Sequence, residues 1–185
     1  MKKTISSLIC CIVLLLGGCA GTQTQYYQLP DSGLSVQANT GRVVALTVNM
    51  PDYLNGTAMV YQQDDVTLNF SQQNLWAQSL KISLEQSLTN KLNKHFSSPR
   101  FVQYTSAQGR PKHTLAVTIN RFYGRYDGQV SVSGFFQLLD ENNRTIKSES
   151  FHYTVAQHGD GYAPMVRALD SGLEQVADLI ASHFN

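Results

Sequence analysis

Cysteine is nearly absent from this chain of 185 residues: Cys10, Cys11 and Cys19 are the whole complement. Cys10 and Cys11 fall inside an apolar leader, so no pair remains downstream to close a disulfide. The fold therefore holds by packing alone, even in a compartment that permits oxidation. Charge is sparse as well. Asp, Glu, Lys and Arg make up 15% of the residues and the formal net charge is +1, which leaves no basic field to gather nucleic acid or anionic headgroups. No apolar run reaches the ~20 residues that span a hydrocarbon layer. The histidines, His95, His113, His152, His158 and His183, form no i, i+4 pair around a Glu and have no Cys partner in a zinc spacing. Serine is plentiful, but no Gly-x-Ser-x-Gly elbow accompanies it. Gly124-x-x-x-Gly128 reads as hairpin punctuation rather than a phosphate cradle, and Asp64, Asp65 and Asp160 as turn and cap residues. The residues thus point to no enzyme, no metal site and no cofactor. A charge-poor chain with nine tyrosines suits a binding surface instead.

What the sequence does have begins at its first residue. Lys2 and Lys3 precede an apolar stretch from Ile5 to Leu16, and small Gly17 and Gly18 lead to Cys19. These are the parts of a secretory signal, and Leu16-Gly17-Gly18-Cys19 resembles the lipobox of bacterial lipoproteins. In that chemistry the Cys19 thiol receives diacylglycerol, the chain is cut after Gly18, and the new amino group is acylated. One acyl chain binds a bilayer only marginally, at ~0.8 kcal/mol per buried CH2, whereas two or more anchor it stably. An ordinary signal peptide cut nearby and an uncleaved short anchor are the other readings of the same stretch. Loss of residues 1 to 18 leaves 167 residues, with 12 basic and 13 acidic groups, enough for one domain with a real core.

The expected organisation is a signal peptide over 1–18, a lipidated tether with a short strand over 19–41, and a single α+β domain over 42–185. Tyr26-Tyr27-Gln28-Leu29 reads as the short strand. Arg42 to Met50 is apolar on both faces and reads as a central strand. Ala58 to Gln62 and Val66 to Phe70 form a hairpin turning at Gln63-Asp64-Asp65. Spacings of four through Trp76, Leu80, Leu84, Leu88 and Leu92 predict a helix from Asn74 to His95. Asp127-Gly128 predicts a two-residue type I′ turn, pairing Arg125 with Val130, Tyr123 with Val132, Ile119 with Phe136 and Val117 with Leu138 without a bulge. A further hairpin at Asp140 to Asn143 brings in a polar edge strand, and Val166, Leu169, Leu173, Val176 and Ile180 mark a last helix starting near Pro164. Together these predict a mainly antiparallel sheet of about five to six strands with two helices packed on one face.

Six residues stand out as partner or subunit interface candidates. Tyr53 and Leu54 follow Pro51 in a loop, where contact with a partner competes with packing over the sheet edge. Trp76 is the single tryptophan, a core anchor or an interface hot spot. Arg125, Tyr126 and Asp127 sit at a hairpin tip that is either solvated or projects toward a partner. Tyr61 reads as a strand packing residue.

Several segments, in order along the chain, carry a family resemblance: Tyr26-Tyr27-Gln28-Leu29 after the lipobox, Pro51-Asp52-Tyr53-Leu54, Val60-Tyr61, Leu75-Trp76-Ala77, Gly124-Arg125-Tyr126-Asp127-Gly128, and Asp160-Gly161-Tyr162 before Met165. In this the chain resembles the PqiC family, the ABC-type transport auxiliary lipoproteins. The resemblance implies an outer-membrane lipoprotein on the periplasmic face, a non-catalytic adaptor in an MCE-type intermembrane lipid transport system. Its implied partner is the periplasm-spanning MCE-domain tunnel protein of the same system, PqiB-like, and a homo-oligomeric ring would match the tunnel's axial mouth. Ala20 agrees with outward sorting, since Asp after the cysteine is the inner-membrane retention signal. The alternative is a lipoprotein that carries lipid itself, in an apolar cavity between helix and sheet. A purely structural envelope protein is a third reading.

Overall fold

The computed structural model describes residues 23–31, 33, 42–96, 98–104 and 111–184. Gly18 and Cys19, the tether residues before 23 and most of 32–41 lie outside the described residues. The strands are β1 (Gln25–Tyr27), β2 (Val43–Asn49), β3 (Ala58–Gln62), β4 (Leu68–Trp76), β5 (Arg100–Gln103), β6 (His113–Arg125), β7 (Gln129–Asp140) and β8 (Thr145–Ala156); the helices are α1 (Leu80–His95) and α2 (Tyr162–Ser182). A single 3-10 turn spans Asp52–Leu54.

The α+β class holds, but the sheet is larger than expected and mixed: eight strands, with β1–β4, β2–β5, β2–β6 and β3–β6 paired in parallel. β2 lies between parallel neighbours, yet only one of its faces is fully buried: Val44, Leu46 and Val48 are in the core, whereas on the other face Ala45 is buried but Val43 is 46% exposed and Thr47 partly so. Both helices pack on one face of the sheet and against each other, α2 on β6, β7 and β8 and α1 on β2 and β5. The side chains between the layers, including Leu46, Leu84, Leu88, Leu92, Val117, Leu169, Leu173 and Val176, have 0% exposure. At ~1.5 to 3 kcal/mol for each fully buried aliphatic side chain, this layer dominates the favourable side of folding.

The 13 residues of β6 organise everything else. On one edge they pair with β7. On the other they pair first with β2, ending at Asn49↔Thr118, and then with β3, from Tyr61↔Gly124. Between these two partners the β6–β7 ladder slips at a bulge between Ile119 and Arg121. The bulge corrects the expected register: Val117 pairs with Phe136, Ile119 with Gly134 and Phe122 with Val132. The extra residue, Asn120, lets Ile119 and Phe122 share the helix face although they are three apart. Gly134 is required opposite it, because a Cβ there would lie 1.9 Å from the Thr118 carbonyl oxygen.

Two further expectations fail for local reasons. The Asp127-Gly128 turn is not type I′: only Gly128 has positive φ, at 73°, and Gly128 N–H donates to the Arg125 carbonyl. Three residues, 126–128, form the loop, a type I turn closed by one left-handed glycine. The helix starts at Leu80 rather than Asn74. Trp76 N–H donates to the Thr57 carbonyl and Ala77 N–H to the Tyr27 carbonyl, so these donors belong to the sheet. Trp76 shares the spacing of the leucine stripe by coincidence and ends β4. The polar β8 is an edge strand as expected, paired with β7 alone.

Candidate functional site

Four of the separated segments meet at one end of the sheet. β3 and β6 run side by side there, with Gln62 opposite Arg125, so the β3–β4 and β6–β7 hairpins project as neighbouring tips. The start of α2 lies behind them. Gly124 permits this approach: a Cβ on it would fall 2.3 Å from Met165 Sδ and 3.1 Å from Tyr61 Cδ2. Tyr61, Arg125, Tyr126, Gln157, Tyr162 and Met165 thereby line a cleft of about 380 Å³ that opens to solvent. Tyr27 of β1 stands behind Tyr162, the two ring centroids 6.0 Å apart.

The polar groups here are mostly engaged with one another. The Arg125 guanidinium grips Asp127 from Nε and Nη2, the shortest contact being 2.8 Å. That pair is partly exposed and contributes little stability, at most ~1 kcal/mol; it fixes the shape of the tip. Gln157 bridges the elements: its backbone N–H donates to the Gly128 carbonyl, and its Nε2 donates to the carbonyls of Gly159 at 2.7 Å and Gly161 at 3.0 Å. Tyr126 remains outside, 53% exposed. Aromatic rings, a thioether, an amide and a guanidinium held by its neighbour line this wall.

The other interface candidates sit elsewhere. Leu54 and Trp76 are buried, at 2% and 4% exposure; Trp76 packs on Phe122 with centroids 6.3 Å apart. Both are core residues of this chain. Tyr53 lies over the open edge of β6 where β2 has left and β3 has not yet joined. Its hydroxyl donates to the Asn120 carbonyl at the bulge and its ring leans on Tyr123, 6.5 Å away. Burial, with the neighbouring Tyr123 adding to it and Arg121 opposing, pushes the Tyr53 phenol up to about 12. Tyr53 thus clips the edge where the sheet changes partner.

Two polar groupings were invisible in the linear sequence. Buried Lys91 of α1 reaches Asp170 and Glu174 of α2, with Nζ 2.6 Å from Glu174 Oε2. One turn on, His95 Nε2 lies 3.1 Å from Asp178. His95, Glu174 and Asp178 place ligand-type atoms within 4.8 Å of one another. The Lys91 ammonium already occupies Glu174, so the cluster reads as an ion-pair ladder between helices. Asn93 supplies the second grouping: its side chain donates to and accepts from the backbone of Phe101, at 2.9 and 2.8 Å, substituting for a strand partner at the edge of β5. Gln157, Lys91 and Asn93 act across elements, and only a three-dimensional arrangement identifies them.

The ABC-type transport auxiliary lipoprotein component profile matches residues 27–181. The chain belongs to that family. It is 37% identical over 187 residues to the intermembrane transport lipoprotein PqiC of Escherichia coli K12, covering 98% of this chain and 96% of the relative, and equally similar to PqiC of Shigella flexneri. Among solved structures, an uncharacterised protein aligns with a TM-score of 0.75 at 33% identity, over 88% of this chain and 99% of its own. A Xanthomonas campestris protein shares the fold, with a TM-score of 0.66 at 17% identity over 85% of this chain and 93% of its own. The matched span of the family profile contains every strand from β2 onward, all of α1 and all of α2 but its last residue. It also contains all the residues that line the tip-end cleft.

Proposed function

We propose that this PqiC-family lipoprotein is a non-catalytic adaptor, held by acylated Cys19 in the outer membrane and meeting an MCE-domain tunnel protein, PqiB-like, that spans the periplasm. The observation that carries the proposal is the family membership of the chain, in which four of the six segments that carry the resemblance gather into one polar and aromatic end. A ring of copies would present that end, or its opposite, around the tunnel mouth, as cyclic symmetry allows.

The alternative, a carrier that holds lipid between helix and sheet, finds less support. The layer between α1, α2 and the sheet is filled by side chains at 0% exposure. The described cavities, of about 250 to 380 Å³, lie at the small end of drug-sized sites and open at the surface.

Crosslinking of intact envelopes followed by capture of this protein tests the adaptor reading. Enrichment of an MCE-domain protein supports it, and recovery of none above background with Cys19 acylated overturns it. Cys19→Ala is expected to leave the fold intact while abolishing function through misplacement. Full activity from a correctly exported, freely soluble variant would refute the role of the anchor. Native mass spectrometry showing only monomer at high concentration would remove the ring.

A further inference from the structure

The first described strand, β1, has its N-terminal end on the side of the tips. β3 ascends with β6 toward the tips, β4 descends from them, and β1 runs parallel to β4 from Gln25 opposite Asn74. β1 therefore runs away from the tips, with Gln25 as its end nearer to them. Gln25 lies six positions after Cys19, a reach of at most ~22 Å at ~3.3 to 3.6 Å per residue. From the level of Leu75 to that of Leu68 the sheet advances only from Ala58 to Gln62 along β3, because β4 bulges between Phe70 and Leu75. An anchor at Cys19 can lie level with the tips but not far beyond them.

The side chains displayed there fit that position. Val66 is 84% exposed at the β3–β4 turn, Tyr126 is 53% exposed at the β6–β7 turn, and Tyr26 and Phe70 stand exposed on the flanking strands. Valine favours hydrocarbon, and tyrosine favours the boundary where a ring is sheltered and its hydroxyl is wet. We infer that the paired tips, with Val66 and Tyr126 foremost, form a lipid-contacting surface that seats the domain on the bilayer holding its anchor. The inference rests on acylation of Cys19, part of the function proposed above.

Charge sets the mode of binding. Asp64 accepts hydrogen bonds from the backbone of Val66 and Thr67, which hold its carboxyl below the usual range, and Asp65 is beside it. These carboxylates stay in water and repel anionic headgroups, so the tips do not find a membrane by electrostatic attraction. The tether supplies the encounter by keeping their effective concentration high. Contact is shallow, and it weakens as the anionic lipid fraction rises.

Acylated Cys19 is the only cysteine of the processed chain, so a single introduced thiol labels cleanly. Val66→Cys and Tyr126→Cys, each carrying an environment-sensitive NBD dye, are compared with Asn142→Cys at the exposed β7–β8 turn, in the full lipidated protein on phosphatidylethanolamine/phosphatidylcholine vesicles. The expected result is a blue shift with rising emission at 66 and 126, quenched by headgroup-proximal nitroxide lipids, and no change at 142. Added phosphatidylglycerol at low salt reduces the shift. Protein that floats with the vesicles while its 66 and 126 labels behave like 142 overturns the seating surface and leaves the anchor standing. Protein that fails to float overturns the anchor and the seating surface together. A shift that grows with phosphatidylglycerol overturns the assignment to these acidic tips.

Discussion

Replacing Tyr53 by Phe removes one oxygen and leaves the ring against Tyr123. The lost hydroxyl is the donor to Asn120, whose carbonyl belongs to the bulge of β6 and faces the gap between β2 and β3. A hydrogen bond of this kind contributes about 0.5 to 1.5 kcal/mol, with the upper part of the range applying where the orphaned acceptor is sheltered from water. Tyr53 is half-buried, so about 1 kcal/mol is expected, a fall of about 2 to 4 °C in Tm for a domain of this size. Alkaline pH gives an independent reading. The folded phenol, at about 12 against an ordinary 10, is held protonated by the fold. Its contribution is complete below pH 10 and is lost as pH rises through 12. Thermal unfolding followed by circular dichroism from pH 8 to pH 11 should therefore show the advantage of wild type over Tyr53→Phe shrinking above pH 10 and gone by about pH 11. Equal stability at pH 8, or a gap that widens with pH, would refute the clip.

Three other substitutions probe separate parts of the frame. Gly134→Ala forces a Cβ to within 1.9 Å of the Thr118 carbonyl and should cost about 3 kcal/mol or more; a chemical melt within ~0.5 kcal/mol of wild type would show that the bulge relaxes freely. Asn93→Ala strips both partners from the Phe101 backbone, at about 2 kcal/mol, and hydrogen exchange should show early loss of protection in β5; protection unchanged there would dismiss the strand-mimic role. Lys91→Met leaves Asp170 and Glu174 without their shared cation. Because both carboxylates keep partial solvent access, the cost is about 1 to 3 kcal/mol, below that of a fully buried pair, and Lys91→Met combined with Asp170→Leu should recover much of it in urea denaturation.

The sequence carried the parts of the fold that depend on local period. Leu84, Leu88 and Leu92 declared their helix, Leu169, Leu173 and Val176 theirs, and the hairpin strands β6 to β8 were legible from alternation and turn residues. Parallel pairing was not, because β2 meets β5 and β6 through crossovers whose closure leaves no mark in a short window. The Asn120 bulge escaped for a related reason. It becomes visible only when Gly134 is placed opposite it, and nothing within β6 announces the partner. Trp76 misled because a spacing of four is compatible with the last residue of a strand followed by a cap. Of the candidate site, Tyr61, Arg125, Tyr126 and Tyr162 lie in the segments that carry the resemblance and Met165 just after one, while Gln157, which ties the tip to α2, lies in none of them.

Helix α2 runs the length of the sheet in one piece. Its first turn packs at Gly124 beside the tips, and at its far end the His183 ring meets Phe136 and the Phe184 ring meets Phe101. At 1.5 Å per residue its 21 residues measure about 30 Å. With the tips at the bilayer, the helix is a strut that fixes a standoff: whatever docks at the opposite end does so about 30 Å from the lipid headgroups. A swollen or compressed envelope would then change the length its partner has to cover, not the height of the platform that receives it.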